Sequence, residues 1–101
     1  MNPRDVKFDA NGLAPAIVQH WRTREVLMLA YMNVESLTRT LAGPHVWFWS
    51  RSRQELWEKG ATSGNYLLVK HVALDCDADT LLVLADPTGP DAPQATRPDS
   101  A

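Results

Sequence analysis

Three carboxylates at i, i+2 and i+4 enclose the chain's single cysteine in Asp75-Cys76-Asp77-Ala78-Asp79, a concentration of charge found nowhere else in the 101 residues. If the segment is extended, its period of two sets Asp75, Asp77 and Asp79 on one side and Cys76 on the other. Carboxylate oxygens are hard ligands that suit Mg2+, and a thiolate suits Zn2+. The plainer reading of the same residues is a polar turn between Tyr66-Leu67-Leu68-Val69 and Leu81-Leu82-Val83-Leu84, because Asp is a favoured turn residue. A calcium loop of the EF-hand type fits poorly. With Asp75 as position 1, Thr80 stands sixth where Gly is required and Asp86 stands twelfth where Glu is usual, between flanks that read as strands.

A second constellation is Ser50-Arg51-Ser52-Arg53, followed by Trp57-Glu58-Lys59-Gly60-Ala61-Thr62-Ser63-Gly64-Asn65. Arg51, Arg53 and Lys59 alternate with hydroxyl groups and with glycines that let backbone amides approach a ligand, a combination suited to a phosphate-bearing small molecule. The competing reading is a solvated basic loop. Trp57 is placed to stack on a heterocycle or to fill the core. His20, His45 and His71 lack the spacing of a helical zinc pair and read as surface or packing histidines.

The elements that must hold these residues are short. Ala16 to Trp21 reads as a strand that turns back through Arg22-Thr23-Arg24 into Glu25 to Tyr31, making a hairpin. Asn33 is an N-cap for a helix over Val34 to Leu41, with Glu35 in its first turn and Gly43-Pro44 ending it. Val46 to Trp49 is a strand apolar on both faces, as burial on two sides or a subunit contact would require. Ser50 to Tyr66 reads as an ordered functional loop. Two further strands, near 66–74 and 80–85, flank the acidic segment. The fold class is mainly β with one or two short helices. The stretch Asp86 to Ala101, with four prolines, no aromatic residue and no aliphatic side chain larger than Ala, reads as a disordered tail, and the domain is taken as residues 1–88 with a divergent tail over 89–101.

A formal net charge of −2 gives no general attraction for nucleic acid or an anionic membrane, so an anionic ligand must be held by a local cluster. One cysteine excludes an internal disulfide. No stretch approaches about 18 consecutive apolar residues. The expectation is a soluble cytoplasmic protein that binds neither nucleic acid nor membrane, and one small enough to gain from oligomerisation.

Taken together, Gly12-Leu13-Ala14-Pro15-Ala16-Ile17-Val18-Gln19, Glu25 to Asn33, Trp49-Ser50-Arg51-Ser52-Arg53, Leu56 to Asn65 and Asp75 to Leu82 resemble the signature blocks of the phosphoribosyl-AMP cyclohydrolase family, in its order. The resemblance implies an intertwined, mainly β homodimer with active sites at the subunit interface. It implies a histidine-biosynthesis hydrolase that opens the N1 to C6 bond of the adenine ring of phosphoribosyl-AMP with a zinc-activated water. It assigns Asp75, Asp77 and Asp79 to Mg2+ and Cys76 to Zn2+, the latter as one of three cysteines, the other two from the partner's tail. Arg51, Arg53, Trp57, Lys59, Ser63 and Gly64 fall in the blocks expected at the phosphoribosyl groups.

The chain departs from that pattern after Gly89-Pro90. Ala92 and Asp99 stand where two zinc cysteines are expected, and Pro93 stands where the family has a histidine proposed for proton transfer. The catalytic residue is therefore unassigned, and zinc is expected to bind weakly. Three readings stay open: a paralogue that holds a phosphorylated nucleotide through Mg2+ and the basic loop without catalysis, an active cyclohydrolase with replacement ligands, or a tail altered at the gene level.

Overall fold

The structure, a computed structural model, describes residues 1–88. The tail assigned to 89–101, and with it Ala92, Pro93 and Asp99, lies outside the described residues.

Six strands form one curved sheet: β1 (Ala14–His20), β2 (Val26–Met32), β3 (Trp47–Ser50), β4 (Glu55–Glu58), β5 (Leu67–Leu74) and β6 (Leu81–Pro87), in the order β4-β3-β2-β1-β6-β5. β1 is the centre. It pairs antiparallel with β2 and parallel with β6, through Ala16 opposite Leu81 and Val18 opposite Val83. Strand alternation sends Ala14, Ala16 and Val18 to the concave face, where all three are fully buried, and sends Pro15, Ile17 and Gln19 to the convex face. Ala14, Ala16 and Ala85 are small enough to let the sheet curl tightly, and Phe48, Met32 and Leu81 fill the space it encloses. The curl brings the far edge back toward β3. Val46 donates to the Leu67 carbonyl at 3.0 Å, Val69 donates to the Pro44 carbonyl at 2.9 Å, and His45 bridges Leu68. The result is a half-barrel whose β5 edge is partly paired.

One helix, α1 (Val34–Ala42), packs on β2, β3 and β5. Asn33 caps it as expected: its Oδ1 accepts from Ser36 N–H at 2.8 Å, and Ser36 Oγ accepts from Asn33 N–H at 2.9 Å. Leu37 and Thr40 face the core, and Thr40 Oγ1 accepts from Trp47 N–H at 2.9 Å, tying the helix to β3.

Two expectations need correction, and one open alternative is decided. The span read as a loop from Ser50 to Tyr66 contains β4, which pairs with β3 through Phe48–Trp57 and Trp49–Leu56, so Arg51 to Gln54 is a hairpin turn. β6 runs on to Pro87, because Asp86 and Pro87 pair with Leu68 and Leu67 on β5, so neither belongs to a tail. Of the two readings of the acidic segment, the structure bears out the polar turn and not the extended arrangement. The turn is closed by Asp75 N–H to the Thr80 carbonyl at 3.0 Å with Ala78 at φ 62°. A short 3-10 turn over Pro3–Asp5 precedes the sheet.

Candidate functional site

The β3–β4 hairpin and the outer face of β2 form a groove of about 580 Å3. Leu29 and Tyr31 rise from β2, Trp49 and Ser50 from β3, Arg51 and Ser52 from the hairpin turn, and Trp57 from β4. The Arg51 guanidinium lies 3.9 Å over the Tyr31 ring, a contact worth about 0.5–1 kcal/mol at an exposed site. Arg51 has no carboxylate partner among the described residues, whereas Arg53 is drawn to Glu55 at 3.7 Å and Ser50 at 3.5 Å. A second recess of about 380 Å3 shares Trp49 and Arg51 and adds Asn11, Asn33 and Gln54. Flat aromatic walls with an unpaired guanidinium at the rim can take a planar ring and an anion together.

Of the residues expected from the sequence at a phosphoribosylated ligand, Arg51 and Trp57 line this groove. Trp57 serves the core as well, packing 5.0 Å from Phe48. Lys59, Ser63 and Gly64 sit apart on the loop between β4 and β5. Lys59 N–H donates to the Val46 carbonyl at 3.1 Å, Gly64 N–H donates to the Gly60 carbonyl at 2.7 Å, and Ser63 Oγ accepts from Asn65 N–H at 3.2 Å. Gly60 has φ +99°, and a Cβ there would lie 2.6 Å from the Tyr66 backbone, so the chain crosses itself where only glycine fits.

The acidic turn is held together by its own hydrogen bonds. Asp75 Oδ1 accepts from Asp79 N–H at 3.1 Å and Thr80 N–H at 3.3 Å, and the Ala78 carbonyl accepts from Lys7 N–H at 2.7 Å. Cys76 is exposed, with Sγ 3.6 Å from Asp77 Oδ1. Asp75 Oδ2 and the carboxylates of Asp77 and Asp79 are the right chemistry for a hard divalent cation. Among the described residues no three His, Cys, Asp or Glu side chains gather to hold a metal within one chain. One thiolate is not a zinc donor set.

The sheet register fixes the relation between the two charged regions. Trp49 pairs with Tyr31, Tyr31 with Pro15, and the next residue, Ala16, with Leu81 just after the acidic turn. Groove and turn thus stand at one level of the sheet but three strand spacings apart, roughly 14 Å. Sequence reading overlooked Leu29, Tyr31 and Trp49 as groove residues. The available signal was the alternation of β2, which sends Leu29 and Tyr31 to the convex face, where Leu29 is 56% exposed.

A small half-barrel that sets aromatic rings, an unpaired arginine and an acidic turn on one level has the build of an enzyme for an anionic, ring-bearing metabolite. The family description "phosphoribosyl-AMP cyclohydrolase" matches residues 28–96. A phosphoribosyl-AMP cyclohydrolase of Lacticaseibacillus paracasei is 63% identical over 81 residues, covering 80% of this chain and 74% of the relative. One from Clostridium beijerinckii is 60% identical over 79 residues, covering 78% and 72%. The histidine biosynthesis bifunctional protein HisIE of Oceanobacillus iheyensis is 56% identical over 85 residues, covering 84% of this chain and 40% of that longer protein. The chain belongs to the phosphoribosyl-AMP cyclohydrolase family.

Proposed function

We propose that this protein is a cyclohydrolase that opens the adenine ring of phosphoribosyl-AMP in histidine biosynthesis. The observation that carries the reading is the identity of 63% to a relative of that name over 80% of the chain; the groove beside Arg51 supports it. In the reaction the oxygen of water bonds to C6, the C6–N1 bond breaks, N1 keeps the electron pair and takes a proton, and C6 becomes a carboxamide. Tyr31 and Trp49 would hold the purine flat, Arg51 would take a phosphoryl group, and Lys59 with Ser63, on the exposed loop tip that Gly64 completes, would take the other.

The chemistry of Asp75, Asp77 and Asp79 fits Mg2+, which when bound would offset most of the turn's negative charge and offer a cation to phosphoryl oxygens. Zinc does not fit the donors of this chain. Cys76 is its only thiolate, and Ala92, Pro93 and Asp99 replace the expected cysteines and histidine, so no step is drawn through zinc. The working unit is a homodimer. Val26 and Leu29 are 62% and 56% exposed on a convex face where Ile17 is half-buried, an apolar surface that a second copy would cover. No helix among the described residues is long and apolar enough to cross a membrane, in keeping with a cytoplasmic biosynthetic enzyme.

The incomplete zinc set favours one other reading: a non-catalytic paralogue that holds a phosphorylated nucleotide through Mg2+ and the basic residues. Turnover of phosphoribosyl-AMP by the purified protein with both metals supplied, beside Cys76→Ser, separates the two. Turnover that is lost in the variant means Cys76 anchors a working metal with replacement ligands. No turnover by a folded dimer means the fold has outlived the reaction.

A further inference from the structure

His45 is the residue on which the loop 59–65 closes. Its Nδ1 lies 2.7 Å from Oε2 of Glu58, the residue that enters the loop. A carboxylate can only accept, so Nδ1–H donates. The same imidazole stacks on Tyr66, the residue that leaves the loop, at 4.1 Å between centroids and 15° between planes. One half-buried ring therefore spans the loop's base, with the His45 and Glu58 side chains 25% and 23% exposed. The surroundings are already rigid. Tyr66 N–H donates to Thr88 Oγ1 at 2.9 Å, Thr88 N–H returns to the Tyr66 carbonyl at 2.8 Å, and the His45 backbone bridges Leu68. The loop's own ties are few and local: Ala61 N–H to the Glu58 carbonyl at 3.1 Å, Gly64 N–H to the Gly60 carbonyl at 2.7 Å and Asn65 N–H to Ser63 Oγ at 3.2 Å, with Lys59 N–H to the Val46 carbonyl at 3.1 Å holding its entry. At its tip Ser63 and Gly64 are exposed.

We propose that His45 is a positioning residue, which by holding Glu58 and Tyr66 together sets Lys59, Ser63 and Gly64 against an anionic group of the substrate without touching it. This rests on the reading that the loop faces a phosphoryl group. The ring supplies what a loop of this length lacks, a crosslink between entry and exit that lowers the ordering cost of binding. The two contacts are separable. His45→Phe keeps the stack and loses the hydrogen bond, His45→Ala loses both, and Glu58→Gln keeps an acceptor for Nδ1–H.

The test measures amide hydrogen exchange across residues 60–65 in the whole protein, together with KM and kcat for phosphoribosyl-AMP. In His45→Ala, exchange at Gly64 should rise about tenfold or more while the β1 and β6 amides stay protected, the loss of one half-buried hydrogen bond and one ring contact. KM should rise about tenfold with kcat altered by less than about threefold, since the loss falls on binding. His45→Phe should lie between, and Glu58→Gln close to wild type. Unchanged loop exchange in His45→Ala, or strand amides that loosen in step with the loop, overturns the proposal. If His45→Ala does not fold, His45→Phe and Glu58→Gln decide it by whether only the first loosens the loop. A wild-type protein without turnover leaves the exchange arm to decide, and that failure falls on the reading of activity.

Discussion

Alanine at Gly60 and alanine at Gly64 are the same chemical change in one loop, yet they should differ several-fold in effect. Both glycines have positive φ, +99° and +81°. At Gly64 a Cβ meets nothing within 4 Å. The left-handed strain of about 1 kcal/mol is partly offset by alanine's smaller freedom in the unfolded chain, a net loss of about 0.5–1 kcal/mol. At Gly60 the Cβ would meet Tyr66 Cα and N at 2.6 Å and Asn65 C at 2.7 Å. Those atoms are backbone, and Tyr66 is fastened to Thr88 on both its N–H and its carbonyl, so relief requires moving the start of β5. Overpacking of that kind adds about 1–3 kcal/mol, for a total near 2–4 kcal/mol. Against a domain stability of about 5–15 kcal/mol, that lowers the urea midpoint by roughly 2 M and the Tm by roughly 10–25 °C. The assay is urea unfolding of both variants at one protein concentration, because an associating chain gains stability with concentration. A Gly60→Ala unfolding free energy within about 0.5 kcal/mol of that of Gly64→Ala would refute the close approach.

Three further outcomes follow from the site. Asp77→Asn should weaken Mg2+ binding about tenfold while leaving the protein folded and its association state unchanged; calorimetry giving the wild-type affinity removes Asp77 from the metal site. Zinc should be held weakly by the purified protein, and elemental analysis finding one tightly bound zinc per chain would mean that ligands other than cysteine complete the set. Leu29→Asp should convert the proposed dimer to monomer at micromolar concentration by placing a charge on its apolar face, and sedimentation showing an intact dimer would move the interface elsewhere.

The helix was the most legible element, because Asn33 and Gly43 mark its ends by local chemistry that tertiary structure did not override. The β1–β2 hairpin was legible for a similar reason, with only its ends shifted by a residue or two. β4 was hidden: Leu56 and Trp57 stand between Glu55 and Glu58 in a serine- and glycine-rich stretch, and only pairing with β3 makes them a strand. Asp86 and Pro87 read as tail for the complementary reason, since β5 holds them in the sheet against their own propensity. At the acidic segment the turn reading, drawn from the preference of Asp for turns, holds, and the period-two arrangement, which required a strand, does not. The spacing of Asp75 to Asp79 and Thr80 instead suits a side chain that accepts from backbone amides four and five residues ahead. His45 gave no signal at all, because both partners of its ring come from distant positions in the chain.

The register also explains why the charged regions do not form one pocket. Phosphoribosyl-AMP carries two phosphoryl groups at opposite ends of a molecule with a purine between them, so its site must offer cations at two places and a flat surface in the middle. One chain has a guanidinium beside aromatic walls on β2 and β3, a lysine-bearing loop beyond β4, and an acidic turn three strands away at the β5–β6 end of the same level. Within one chain the concave side between them is occupied, by buried residues of β1 and β6 and by α1 packed on β2, β3 and β5. From Leu29 at the groove's wall an apolar row runs toward the turn on the convex face through Ile17 and Leu82, in register across β2, β1 and β6. A second copy laid across that row by a two-fold axis would set the acidic turn of one chain toward the arginine groove of the other. In the proposed dimer the reach that a bisphosphorylated substrate demands and the burial that the apolar row demands would be met by one contact.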